Sequence, residues 1–134
     1  MDKSTYYKNL FFIGGLWNLG GAIPLWLGGI FMPDFTFGII GMAVPAVLFP
    51  YHAMYWMVMS LGIGYIIVSR DITKNDAIVV VAIIAKVLFF IDCVITLALK
   101  EANVLLVLIG IVDIIFACLF FEFLLSVKKG SHKT

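Results

Sequence analysis

Charge is scarce in this sequence: only 13% of its 134 residues are Asp, Glu, Lys or Arg, and the formal net charge is +1. Soluble domains carry about 25% charged residues, so this chain is not composed like one. No basic stripe is available to meet a phosphate backbone, and we expect no nucleic-acid partner. Cysteine is nearly as rare. Cys93 and Cys118 have no CxxC spacing and fall in apolar runs, where buried structural thiols are the default. Helical rise would separate them by about 11 Å in depth on antiparallel neighbours, too far for a disulfide.

The sequence also lacks the usual signatures of catalysis. Val58-Met59-Ser60-Leu61-Gly62 misses the first glycine of a nucleophile elbow, and no mid-span histidine stands ready as its base. The glycines lie inside apolar runs rather than in a loop that cradles phosphate. His52, beside Met54 and Met57, has the ligand types for haem or Cu(I), but those methionines read better as core filler. His132 falls in a polar tail expected to be flexible. We expect no metal, no cofactor and no acid–base–nucleophile constellation, which makes an enzyme the least favoured class.

What the chain does have is long apolar sequence: 63% of residues are hydrophobic and the mean hydropathy is +1.14. Four stretches approach the roughly 20 residues needed to cross a bilayer, at 10–30, 51–69, 77–99 and 104–127. The start, with Lys3 and Lys8, resembles a signal peptide, but the apolar run that follows is too long and no A-x-A site closes it. We read it as a retained first helix, bent at Pro24. The turn Lys100-Glu101-Ala102-Asn103 is short enough to force the last two helices into an antiparallel hairpin. Residues 31–49 are apolar yet broken by Pro33, Asp34, Gly38, Gly41 and Pro45, which suggests an interfacial helix or a re-entrant loop. Phe35, Phe37, Phe49, Tyr51 and Trp56 suit headgroup level.

The expected fold is therefore all-α: a single-domain, four-transmembrane-helix bundle with an interfacial or re-entrant segment between helices one and two. Lys3, Lys8, Arg70, Lys74, Lys128, Lys129 and Lys133 fall on one side and Lys100 alone on the other. The positive-inside rule then puts both termini in the cytoplasm, in the inner or plasma membrane of a prokaryote. Gly14, Gly21 and Gly28 recur at heptad spacing with Asn18 on the same stripe, a pattern that lets helices approach closely. Ser60 and Gly64 repeat the device in the second span. The Arg70-Asp71 pair suits either lipid headgroups or, more commonly, a solvated turn with local ion pairing.

Lys86, Asp92, Asp113 and Glu122 lie inside the last two apolar runs. Charge in hydrocarbon is costly, so such residues face a protein interior or a wet cavity and often mark function. Lys86 and Asp113 fall at nearly the same depth, and we expect them to pair. Asp92 is about 120° off the lysine face, which directs it to another helix or a dimer partner. Glu122 is about 180° around from Asp113, which points to the interface or to a second subunit. Asn18 and Ser60 fall near the same depth as the pair. The candidate ligand- or ion-binding set is thus Asn18, Ser60, Lys86, Asp92 and Asp113.

Trp17-Asn18, Pro24, Met32-Pro33-Asp34, Gly62-x-Gly64-Tyr65, Ser69-Arg70-Asp71, Lys86 and Asp113 together resemble a group of small bacterial four-helix membrane proteins. The resemblance implies a recurring polar set of Asn18, Arg70, Asp71, Lys86 and Asp113 and brings no activity with it. The apolar stretch between Asp34 and Tyr51 is longer here than in that pattern. Two functions are expected. One is binding or transport of a small solute, proton or lipid through the central polar cluster, in which Asp113→Asn abolishes function and spares assembly. The other is a non-catalytic accessory subunit, whose buried charges fix helix pairing. The expected partners are membrane lipids and a second copy of the chain, with a dimer favoured.

Overall fold

A computed structural model describes residues 2–131, with side chains described to Ser126. His132 and Lys133, and the side chains of Lys128 and Lys129, lie outside the described residues. Among those described, all regular structure is helical: α1 (Lys3–Phe31), α2 (Pro33–Ile39), α3 (Phe49–Arg70), α4 (Asp76–Ala98) and α5 (Val104–Ser131). Four of them, α1, α3, α4 and the Val104–Ser126 part of α5, are long and apolar enough to cross a membrane. α1 begins seven residues before the start predicted from hydropathy, because polar residues at a helix end do not stop the helix. It also runs unbroken through Pro24.

The helices pack as two close pairs, α1 on α3 and α4 on α5, with a lighter contact between α3 and α4. Backbone approach explains the first pair. A Cβ on Gly15 would lie 2.9 Å from the Gly62 carbonyl oxygen, and one on Gly62 would lie 3.2 Å from the Gly15 oxygen. Only glycine fits at that crossing. This corrects the expected seam: Gly14 faces Phe116 and Phe120 of α5, Gly21 has nothing within 4 Å, and Gly28 meets Thr36 of α2. The α1 face on α3 is instead Gly15, Asn18, Ala22 and Gly29, one residue further along. On α3 the packed face is Met59, Gly62, Tyr65 and Val68, while Ser60 is exposed.

The two pairs are joined at one end by an aromatic layer. Phe11 stacks on Phe120 at 4.7 Å and meets Phe123 edge-on, and Tyr65 meets Phe120 edge-on. Tyr7, Val68, Val79 and Ala82 complete this core. At the other end the buried residues of the long helices are small, Ala22, Gly29, Cys93 and Gly110, and α2 adds the buried Thr36 and Phe37. Cys93 and Cys118 are both free.

The segment between α1 and α3 is a short helix followed by an irregular stretch. Pro33 opens α2 at a position where its missing N–H costs nothing. The turn after α2 takes Gly41 at φ 73°, a conformation open to glycine without penalty. Asn103 holds that turn: its side-chain amide donates to the Ile39 carbonyl at 2.9 Å and its backbone N–H to Ile40 at 2.7 Å. Asn103 Oδ1 meanwhile accepts from the Leu105 N–H at 3.0 Å, capping the start of α5. The α4–α5 connection closes through Glu101 N–H to Thr96 and Lys100 N–H to Leu97, with Lys100 at φ 61°. That is a Schellman turn with lysine where glycine is usual.

Candidate functional site

Three of the five candidate residues meet in the bundle centre. Lys86 sits on α4 in line with Val79, Ala82 and Cys93, the face turned inward. Asp113 follows Gly110 by three residues on α5, and the missing side chain there lets Phe90 and Cys93 approach. The Lys86 ammonium lies 2.5 Å from Asp113 Oδ1 and donates to Asn18 Oδ1 at 3.3 Å. Asn18 in turn donates to the Val58 carbonyl of α3 at 3.4 Å. One lysine therefore ties α4 to α5 and to α1, and Asn18 carries the network on to α3.

The surroundings make this pair electrostatically strong. The side chain of Lys86 is 4% exposed and that of Asp113 is 16% exposed. The ammonium also lies 5.4 Å from the Phe116 ring centroid and 5.6 Å from that of Tyr65, within the range of cation–π attraction. A buried pair stands only if its hydrogen bonds are nearly complete, and Asn18 supplies one that Asp113 does not.

Tyr65 is the residue that sequence reasoning missed. It is fully buried, and its hydroxyl, close to the Asn18 side chain, makes no hydrogen bond of good geometry among the described residues. A buried tyrosine hydroxyl usually finds one. The available signal was the spacing Met59-Gly62-Tyr65, which turns a phenol away from headgroup level and inward.

The other candidates are not brought to this cluster. Ser60 is exposed on α3, and its hydroxyl donates back to the Trp56 carbonyl at 2.8 Å. It lines an apolar surface groove of about 630 Å³ between α3 and α4, with Trp56, Met57 and Val81. The cause is the α3 register: the face on α1 is that of Gly62, two residues on. Asp92 is exposed on α4 and makes no side-chain hydrogen bond or ion pair among the described residues. Glu122 is exposed as well, but α1 supplies it with a partner, the Tyr7 hydroxyl, at 3.1 Å.

His52 is engaged away from the cluster. Its Nδ1 accepts from the Trp26 indole N–H at 2.9 Å, and Met54 and Met57 are exposed. Tyr51 anchors the same region by donating to the Leu25 carbonyl. At the α3–α4 turn, Asp71 accepts from the Thr73 hydroxyl at 2.6 Å and pairs with Lys74 at 3.1 Å, so its bonding is local. These contacts hold its carboxyl down to about 2, the Thr73 hydroxyl most of all.

Comparison with family models, curated proteins and solved structures finds no match to this chain. The functional reading rests on the geometry alone.

Proposed function

We propose that the chain is an integral membrane protein, with four spans and cytoplasmic termini, whose central cluster binds a small solute or proton and serves its transport. The apolar outward faces of the four long helices support the membrane part of this reading. The observation that carries the functional part is the Tyr65 hydroxyl, buried and unpaired beside the Lys86–Asp113 pair. A cluster serving only to fix helix packing has no use for an unsatisfied buried hydroxyl, which costs about 1–3 kcal/mol. A hydroxyl kept at that cost is suited to a ligand or a transferred proton. Asp113, the more exposed partner, is the group from which such a species would be met or released.

A second reading has its own support. Lys86 is compensated by both Asp113 and Asn18 and links α1, α4 and α5, as a register-fixing pair in an accessory subunit would. In either reading the exposed carboxylate of Asp92 fits a neighbouring helix, and we propose a homodimer.

Tyr65→Phe separates the two, because it deletes only the unpaired hydroxyl. Native mass spectrometry of the gently solubilised protein is the measurement. A small molecule retained by the wild type and lost from Tyr65→Phe at unchanged oligomeric state supports binding. A variant that is as stable or more stable, with no ligand on either form, supports the packing role. Asp113→Asn is less clean than the sequence suggests, since it also strands Lys86.

A further inference from the structure

Where the start of α1 meets the end of α5, a pocket of about 300 Å³ is lined by Lys3, Tyr7, Glu122, Leu125 and Ser126. Its lining mixes apolar surface with the polar groups of Lys3, Tyr7, Glu122 and Ser126. Its two hydroxyl protons are already committed. Tyr7 donates to Glu122 Oε1 at 3.1 Å, and Ser126 donates to the Phe123 carbonyl at 2.9 Å. What remains to face a ligand is a set of acceptors: the Glu122 carboxylate, the Tyr7 oxygen and the Ser126 oxygen. Lys3 brings a cation to the same pocket without pairing with Glu122 among the described residues. The residues one helical turn beyond Glu122, Leu125 and Ser126, are uncharged and cannot neutralise it.

Three acceptors, one of them a carboxylate, match the three N–H donors of a primary ammonium, and the lysine matches a phosphate. Glu122 lies six residues before Lys128, where the sequence of α5 turns basic, about 9 Å in depth. The pocket also takes in Lys3 at the start of α1, so it opens toward the basic end of the bundle, where lipid headgroups would lie. We propose that this pocket binds the headgroup of a primary-amine phospholipid, with its ammonium on Glu122, Tyr7 and Ser126 and its phosphate on Lys3. The site is separate from the central cluster and rests only on the membrane reading above. Recovery of the chain in the membrane fraction tests that reading by itself.

The test is lipid retention by the full-length protein in native mass spectrometry, with phosphatidylethanolamine, phosphatidylcholine and phosphatidylglycerol of matched acyl chains. Wild type should retain phosphatidylethanolamine over phosphatidylcholine by about tenfold, the size of one hydrogen bond to a charged group. A quaternary ammonium has no N–H to offer. Glu122→Gln should erase that preference and Tyr7→Phe should reduce it. Lys3→Gln, at an exposed helix start, should weaken all three lipids and leave their ratio unchanged. Helical circular dichroism confirms that each variant is folded. Equal retention of the two lipids by wild type, or a preference that survives Glu122→Gln, overturns the proposal. Displacement of the lipid by free phosphoethanolamine at matched concentration would assign the pocket to a soluble ligand instead. A dimer that falls to monomer in Glu122→Gln would make this face a contact between copies.

Discussion

Asp113→Asn keeps the shape of the side chain and an acceptor oxygen but removes its charge, leaving the buried Lys86 cation without a counter-charge. Stranding one member of a buried pair costs about 3–5 kcal/mol. A ceiling exists, because the lysine can shed its proton. At pH 7 that costs about 1.4 kcal/mol for each unit below an ordinary value near 10.4, or roughly 4.6 kcal/mol in all. The expected loss is therefore about 3–4.5 kcal/mol. Lys86→Met should cost less, about 1–3 kcal/mol, because the Asp113 side chain is 16% exposed against 4% for Lys86 and so is the less deeply buried of the two. The double variant buries neither charge and should fall within about 1 kcal/mol of wild type. The assay is reversible unfolding in mixed micelles titrated with a denaturing detergent, run as a double-mutant cycle. A double variant as unstable as Asp113→Asn alone would refute the reasoning, since the damage would then come from lost packing and not from stranded charge.

The helix seam gives a paired prediction. Gly15→Ala should destabilise by about 1–3 kcal/mol, because its Cβ would lie 2.8 Å from Ile66 and 2.9 Å from the Gly62 carbonyl. Gly21→Ala should be neutral or stabilising by up to about 1 kcal/mol, and the same detergent titration reads both. Asn103→Ala should cost about 1–2 kcal/mol and raise amide exchange at Gly41 and Met42, whose turn loses its two Asn103 bonds only in part. For Asp71 the folded value of about 2 lies below its ordinary 3.8, so its contribution is complete above about pH 4 and is lost as pH falls from 4 to 2. Thr73→Val should move the Asp71 carboxyl back up toward 3.8, as read by carboxyl carbon chemical shift against pH.

The helical architecture was legible because span length and turn residues suffice for it. Apolar runs of about 20 residues, the Lys100–Asn103 turn and the polar loop at Arg70–Asp76 place every long helix to within a few residues, except the start of α1. Which face of each helix points inward was harder to read. A helix that is apolar all round carries no moment to orient it, so the stripe of glycines was the only guide on α1. Two glycine stripes run side by side there, Gly14-Gly21-Gly28 and Gly15-Ala22-Gly29, and nothing in the sequence alone ranks them. The close approach of Gly15 to Gly62 does. A like ambiguity of face on α3 brought Ser60 into the expected cluster and left Tyr65 out.

Depth, in contrast, is read directly from residue number, and this is why the meeting of Lys86 with Asp113 was visible in the sequence while its setting was not. The aromatic layer beneath the pair sets the strength of the interaction. Phe11, Phe116, Phe120 and Tyr65 are spread over three helices and converge only in the folded chain. They close the cluster on the side of the α1 start and the α5 end, while on the other side the buried residues of the four long helices are small. A charge pair between a packed aromatic floor and two tight helix crossings is enclosed by large side chains more on one side than on the other. Asp113 is the partner that remains partly exposed. The asymmetry follows from where the large side chains fall along each helix: late in α5, early in α1, and at Tyr65 near the end of α3. In the proposed membrane setting the surrounding hydrocarbon offers no hydrophobic drive to hold helices together, so this interlocked aromatic end, with the lysine network above it and the lighter α3–α4 contact, would hold the two pairs as one bundle.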